Sequence, residues 1–355
     1  MSIFLAIPSY CDPVLTFTLT SAYEKAKYPD QLHFAVVDQS PLDAAYPVPA
    51  CIPASQVSYI KIEASQARGC CWARGVTMSL YRDEDWYFQL DSHMLFEQDW
   101  DATLVQKMQG CLQYSDKAVI SSYPAPFRFV DGVATIDTVA NPVRAAVVLP
   151  GETFHPKHPF FKFKSKLLEG VGAVQGYHIA GGCLFAPGEF VRWIPNDPFL
   201  YFSEEEQNIA LRLYTRGWDI YHVAGLPIYH LYNVEPEKTG TERRPLHWDV
   251  VADATEKPKW WAQDRRAKKR LSTLVWGDSR KLGIYGLGTK RSLIEYAEMC
   301  GIDYAARTLS AKAFEGPWEV APTAASSSSG ANATSDADAT SDASAIGSSN
   351  EANRA

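Results

Sequence analysis

The sequence predicts an α/β protein built on a doubly wound, mostly parallel sheet. Two observations carry that prediction. In the first third of the chain, strand-like runs alternate with helical ones over short connections, the β-α-β-α-β order of a parallel sheet. Several of the strand-like runs also end abruptly in polar residues, at Tyr10, Asp38 and Asp91. In such sheets ligands bind beyond the carboxyl ends of the strands, so these endings bring separate stretches to one rim.

The elements follow in order. Ile3–Ile7 is a β-rich run opening into a loop at Pro8-Ser9-Tyr10. Asp12-Pro13 supplies an N-cap and a proline at the first helical position, predicting a helix to about Lys27. His33–Val37 is a second strand ending at Asp38-Gln39, and Val57–Ile62 a third. Gln66–Arg82 reads as a helix, with Trp72, Val76 and Leu80 at four-residue spacing. Trp86–Leu90 is the fourth strand, an apolar and largely aromatic run with the character of a strand buried on both faces. Asp99–Leu112 reads as a helix and Ala118–Ser122 as a strand. Residues 123–176, rich in Pro, Phe and His, read as a mixed loop-and-strand region over the site. Gly182–Ala186 is a short strand after a flexible Ala180-Gly181-Gly182, Ser203–Arg216 a helix stopped by Gly217, and Asp219–His222 leads on. The composition divides the chain into a domain over residues 1–312, with halves near 1–122 and 123–312, and a tail over 313–355. From about Ala321 that tail is Ser, Ala, Thr, Asp and Gly, too poor in large apolar residues to offset its ordering entropy, and is expected to be disordered.

At 355 residues the chain can bury a large core, and 46% hydrophobic with 21% charged residues is ordinary for a globular enzyme. A net charge of −7 argues against general affinity for nucleic acid or an anionic membrane. No apolar run approaches the roughly 20 residues of a membrane span. The seven cysteines, odd in number and without a C-x-x-C pair, read as reduced thiols. The expected location is the cytoplasm.

The strongest chemical signal is Asp91-Ser92-His93, a polar break inside apolar sequence. A carboxylate and an imidazole leaving a buried strand together are costly without a cation between them. Oxygen with a single nitrogen and no thiolate suits Mn²⁺ or Mg²⁺, the nitrogen favouring Mn²⁺. A capping aspartate and a hydrogen-bonded histidine would produce the same pattern. His230, in Ile228-Tyr229-His230-Leu231-Tyr232, is the best third ligand, with His222 and His247 as rivals that spacing leaves open. Ser203 with Glu206 fits a capping box. In the functional alternative, Glu205 reaches into the site to hold a sugar hydroxyl or the acceptor. Gln66-Ala67-Arg68-Gly69 sits at a helix entry whose amides suit an anion, with Arg68 adding charge and Arg74 two turns in either joining it or forming an ion pair. Gly286–Arg291 lacks both the third glycine of a dinucleotide loop and the Gly-Lys adjacency of a Walker motif. The excess of Lys and Arg over residues 256–291 is either a solvated helix face or a surface for a diphosphate or acidic partner.

Taken together, Ile7-Pro8-Ser9-Tyr10, Ala67-Arg68-Gly69 with Cys71-Trp72-Ala73-Arg74, Gln89-Leu90-Asp91-Ser92-His93, Phe202 before Glu205-Glu206, Gly217-Trp218-Asp219-Ile220-Tyr221 and Tyr229-His230 form a series. The series resembles the GlcNAc transferases that modify hydroxyproline on a cytoplasmic ubiquitin-ligase adaptor in some protists, a family with many bacterial relatives. The likeness runs from residue 3 to about 305, ending in Gly286–Ser292 and Gly301-Ile302-Asp303-Tyr304. It implies a GT-A fold, a UDP-sugar donor, most simply UDP-GlcNAc, a divalent cation, and transfer with retention to a hydroxyl acceptor such as one on a polypeptide. It further implies that Asp91-x-His93 is the family's D-x-D motif, as in mucin-type GalNAc transferases, and that His230 completes the metal shell. Pro8, Ser9 and Tyr10 would border the uridine, Asp38 would lie near the uracil or ribose, and Ser92, Arg68 and Arg74 would join the donor-binding set. Two positions depart from the family: Cys11 stands where arginine is usual, and Glu204 where a glycine usually precedes the paired glutamates. Competing readings are a sugar-phosphate nucleotidyltransferase, which would carry a Gly-rich, Lys-containing loop where Pro8-Ser9-Tyr10 stands, and a binding module with a degenerate site on the same fold.

Overall fold

A computed structural model describes residues 1–44, 46–137, 141–250, 260–316 and 318. Its centre is an eight-stranded sheet. The strands β1 (Ile3–Tyr10), β2 (Leu32–Gln39), β3 (Val57–Ile62) and β4 (Trp86–Leu90) run parallel in the spatial order β4-β1-β2-β3. The short β5 (Met94–Phe96) leaves this sheet, and β6 (Ala118–Ser121) rejoins it. Cys183–Pro187 enters antiparallel between β4 and β6, Asp219–Val223 lies parallel to β6, and Ala173–Gly176 closes the edge antiparallel. The predicted doubly wound, mostly parallel sheet is therefore present.

Period-2 alternation places the sheet between two apolar layers. In β1, Ile3, Leu5 and Ile7 join one core with Leu15, Leu19, Trp100, Leu104 and Met108 from the helices Leu15–Glu24 and Trp100–Leu112. Phe4 and Ala6 face the other, with Met78, Ile209, Ala210 and Leu213 from Cys70–Met78 and Glu204–Thr215. A third cluster carries the C-terminal helices and includes Ala313, in the helix Ala311–Glu315, so core packing continues past residue 312. The low-complexity segment lies outside the described residues. Among those described, no helix is long and apolar enough to cross a membrane, and all seven cysteines are free.

Several boundaries move, each for a local reason. Pro8-Ser9-Tyr10 stays within β1 instead of opening a loop: pairing with β4 stops at Ala6, but pairing with β2 continues to Tyr10 opposite Gln39. The first helix starts at Leu15 because Asp12 does not cap it. Its Oδ1 accepts from the Val14 amide at 2.9 Å, forming an Asx turn before the helix. The second helix spans only Cys70–Met78, since Gly69 holds φ +97° against the Tyr201 ring. Ser203 and Glu206 form no capping box: the Ser203 side chain makes no cap bond, and the Glu206 carboxylate accepts from the Gly181 amide (2.7 Å) and Tyr123 hydroxyl (2.9 Å).

A candidate metal and donor site at the carboxyl rim of the sheet

After β4 the chain turns through Asp91-Ser92-His93 and immediately forms β5. β5 pairs antiparallel with Ile228–His230, in a register that sets His230 opposite Met94, and the Leu231 amide donates to the His93 carbonyl at 3.0 Å. That pairing, rather than any local pattern, brings His230 to the Asp-x-His turn. Asp91, His93 and His230 each offer a ligand atom within 4.8 Å of the others, and among the described residues they are the one group of three with this geometry. Asp91 Oδ2 lies 3.3 Å from His230 Nε2 and 3.9 Å from His93 Nε2. The carboxylate is 25% exposed and the imidazoles 19% and 13%, so the cluster opens toward the rim while being rooted in protein.

The two rival histidines are placed elsewhere. His222 is fully buried, with Nδ1 on the Ser121 carbonyl at 2.5 Å and Nε2 accepting from the Ala146 amide at 3.4 Å. His247 bonds the Tyr201 hydroxyl (2.7 Å) and the Ala67 carbonyl (3.2 Å), its ring edge-on to Tyr10.

Behind Asp91 lies a buried charged network. Arg74, on the helix Cys70–Met78, donates from Nη2 to Asp91 Oδ1 at 2.7 Å and from Nη1 to Glu205 Oε2 at 2.6 Å. The other oxygen of Glu205 accepts from Gln89 Nε2 at 3.0 Å. Arg74 thus takes one oxygen of Asp91 and leaves the other facing the imidazoles, a division suited to one-oxygen metal ligation. Burial alone would raise the Asp91 carboxyl, but the His230 hydrogen bond and the Arg74 charge hold it well below the usual carboxylate range. Burial pushes His230 down to about 4, which leaves the ring uncharged at neutral pH. Burial also raises Glu205, against the opposing pull of Arg74.

Gly181 and Gly182 wrap this network closely. A Cβ on Gly182 would stand 2.2 Å from Asp91 Oδ2, and one on Gly181 would stand 2.6 Å from Arg74 Nη1. The reason for the pair is close approach of backbone to the site.

Other expected residues fall at different distances from this centre. Ser9 and Tyr10 reach the rim with buried hydroxyls that make no hydrogen bond, as groups awaiting a ligand would. Asp38 is fully buried and already engaged, with Oδ1 accepting from Ser40 (2.5 Å) and Oδ2 from Tyr59 (2.5 Å) and Lys61 (2.8 Å). Ser92 donates to Asp12 Oδ2 at 2.6 Å. Arg68 is exposed with its guanidinium over Trp72, while the Cys71 amide at the same helix entry donates to the Tyr201 carbonyl. One amide of that helix entry is therefore taken by protein. Gly286–Arg291 serves structure: the Gly288 and Lys290 amides bond Thr215.

Asp12, Gln89 and Glu206 belong to the site as well, although the sequence pattern marks them only as caps or as members of a motif. Gln89 stands in the otherwise apolar β4, and that placement is a usable sequence signal of a polar network. Asp12 carried no comparable signal beyond its apparent cap.

The profile of the family described as Glycosyltransferase (GlcNAc) matches residues 43–306. The chain belongs to this GlcNAc glycosyltransferase family. The match contains Asp91, His93, Glu205 and His230 and begins after Pro8, Ser9, Tyr10 and Asp38. It sets aside the nucleotidyltransferase alternative. No curated protein matches the chain. Among solved structures, GalNAc-T7 with UDP, GalNAc and Mn²⁺ is similar at 13% identity and a TM-score of 0.52, covering 87% of this chain and 58% of that one. The chain thus spans less than two thirds of GalNAc-T7, and the likeness is one of fold, that of the GT-A transferases. S. aureus TarS 1–349 in complex with UDP-GlcNAc is similar at 13% identity and a TM-score of 0.38, covering 80% and 75% of the two chains.

Proposed function

We propose that this glycosyltransferase takes its sugar, GlcNAc, from a UDP-sugar with the help of a divalent cation, Mn²⁺ in preference to Mg²⁺, and transfers it with retention to a hydroxyl acceptor such as one on a polypeptide. The observation that carries the proposal is the convergence of Asp91, His93 and His230 at the carboxyl rim of a GT-A sheet. The family supports the sugar. Its donor set, two imidazoles and one carboxylate oxygen with the remaining directions open, fits Mn²⁺ carrying diphosphate oxygens.

Asp91, His93 and His230 would hold the cation. Bound there, it would neutralise the charge that grows on the β-phosphate as the sugar departs. Ser9 and Tyr10, with their unpartnered hydroxyls, and Pro8 beside them border the uridine. Asp38 acts on that pocket by fixing Tyr59, Lys61 and Ser40. Glu205 touches Arg74 and Gln89, so it orients the reacting groups through Arg74 and Asp91. No strong protein base is needed, because a departing phosphate oxygen can take the proton of the attacking hydroxyl as the new glycosidic bond forms on the same face.

The test is UDP release from a panel of UDP-sugars with Mn²⁺, Mg²⁺ or EDTA. Slow hydrolysis of UDP-GlcNAc above the other donors, dependent on Mn²⁺, is expected. No turnover with any donor would overturn the proposal and favour a binding module.

A further inference from the structure

The two imidazoles of the cluster are held by different means. His230 has a buried Nδ1 with no hydrogen-bond partner, and its ring stands edge-on between His93 (4.6 Å) and Tyr232 (4.3 Å). His93 instead places Nδ1 2.7 Å from Asp12 Oδ2. An ionised carboxylate can only accept, so Nδ1 carries a ring proton, and in the neutral tautomer this selects the lone pair is on Nε2, 3.9 Å from Asp91 Oδ2. Carboxylates in this position orient metal-ligating histidines and strengthen them as donors.

Asp12 is built for the task. Its side chain is 4% exposed, and each oxygen is occupied: Oδ1 by the Val14 amide, Oδ2 by His93 and the Ser92 hydroxyl, with Arg244 Nε 3.9 Å away. The chain reaches this arrangement through Cys11, whose φ of +47° is a left-handed conformation that costs a non-glycine residue about 1–2 kcal/mol. That turn sends Asp12 back under the Asp-x-His segment.

We propose that Asp12 is a positioning residue that sets the affinity of the cation site by fixing the tautomer and direction of His93. The proposal rests on the reading of Asp91, His93 and His230 as a metal site. Removing the carboxylate while keeping the three ligands lowers Mn²⁺ affinity by about 10–100-fold.

The experiment titrates Mn²⁺ alone into the full chain and follows free Mn²⁺ by electron paramagnetic resonance, for wild type, Asp12→Ala and Asp12→Asn. Asparagine has one acceptor oxygen, enough for the Val14 turn, and sets an NH2 donor in place of the oxygen that His93 and Ser92 use. The expected result is a 10–100-fold weaker constant for Asp12→Ala and a weakened constant for Asp12→Asn as well, with the metal-free melting temperature of Asp12→Asn near wild type. Wild-type binding left unchanged in a folded Asp12→Ala would overturn the role of Asp12 and leave the metal site standing. Absence of Mn²⁺ binding by wild type would overturn both. If Asp12→Ala does not fold, Asp12→Asn decides: weakened Mn²⁺ binding in a stable protein supports the role, and an unchanged constant overturns it.

Discussion

Glu204 is the sharpest place to test the electrostatics of the site, because its carboxyl is buried and only partly compensated. It opens the helix Glu204–Thr215, has no exposed surface, and neither carboxylate oxygen has a hydrogen-bond partner. Burial, helped by the Asp264 charge and only partly opposed by the nearby backbone at Phe202 and Glu204 and by Lys268, raises its carboxyl from 4.5 to about 7. That rise corresponds to about 3 kcal/mol. The sign follows from proton counting. Between pH 4.5 and about 7 the folded chain keeps a proton that the unfolded chain has lost, so stability falls as pH rises through this window. Above about 7 the full penalty is present. Glutamine carries no charge to bury, so Glu204→Gln should be more stable than wild type by up to about 3 kcal/mol at pH 8 and close to it at pH 5. Urea unfolding of both proteins at both pH values measures this, since titrations elsewhere cancel in the difference. A Glu204→Gln protein less stable than wild type at pH 8, or a difference that does not change between pH 5 and pH 8, would refute the reasoning.

Two further predictions concern the network around Asp91. Glu205→Gln keeps an acceptor for Arg74 but removes the charge, and should cut transfer by about 10–100-fold while leaving UDP affinity nearly intact; a large loss of UDP binding would contradict it. Gly182→Ala places a methyl 2.2 Å from Asp91 Oδ2, and Arg74 and His230 leave that carboxylate little room to move. The substitution should cost about 1–3 kcal/mol in thermal unfolding and abolish calorimetric Mn²⁺ binding, whereas undiminished Mn²⁺ binding would show that the close approach does not matter.

The strands were legible wherever apolar runs met polar breaks: β3 and β4 lie where composition places them. The Asp-x-His turn was legible for the same reason, since buried charge stands out against aromatic neighbours. His230 could be nominated but not chosen, because its place depends on the antiparallel register between Ile228–His230 and β5, a pairing across more than a hundred residues. The local rules failed where a side chain with a plausible nearby partner found a distant one. Glu206 bonds Gly181 and Tyr123 instead of boxing Ser203, and Asp12 serves His93 instead of capping a helix. The sequence pattern does not tell Arg68 from Arg74, and packing separates them: Arg68 is exposed on Trp72 while Arg74 is buried beside Asp91.

A cation held by Asp91, His93 and His230, with a nucleotide diphosphate bound through it, underlies the proposed transfer. Calorimetric titration of UDP into wild type and Asp91→Asn, with Mn²⁺ and with EDTA, tests this directly. Wild type is expected to bind UDP in Mn²⁺ and to lose that binding in EDTA, and Asp91→Asn to bind under neither condition. UDP binding of equal strength with and without Mn²⁺, or undiminished in Asp91→Asn, would contradict it.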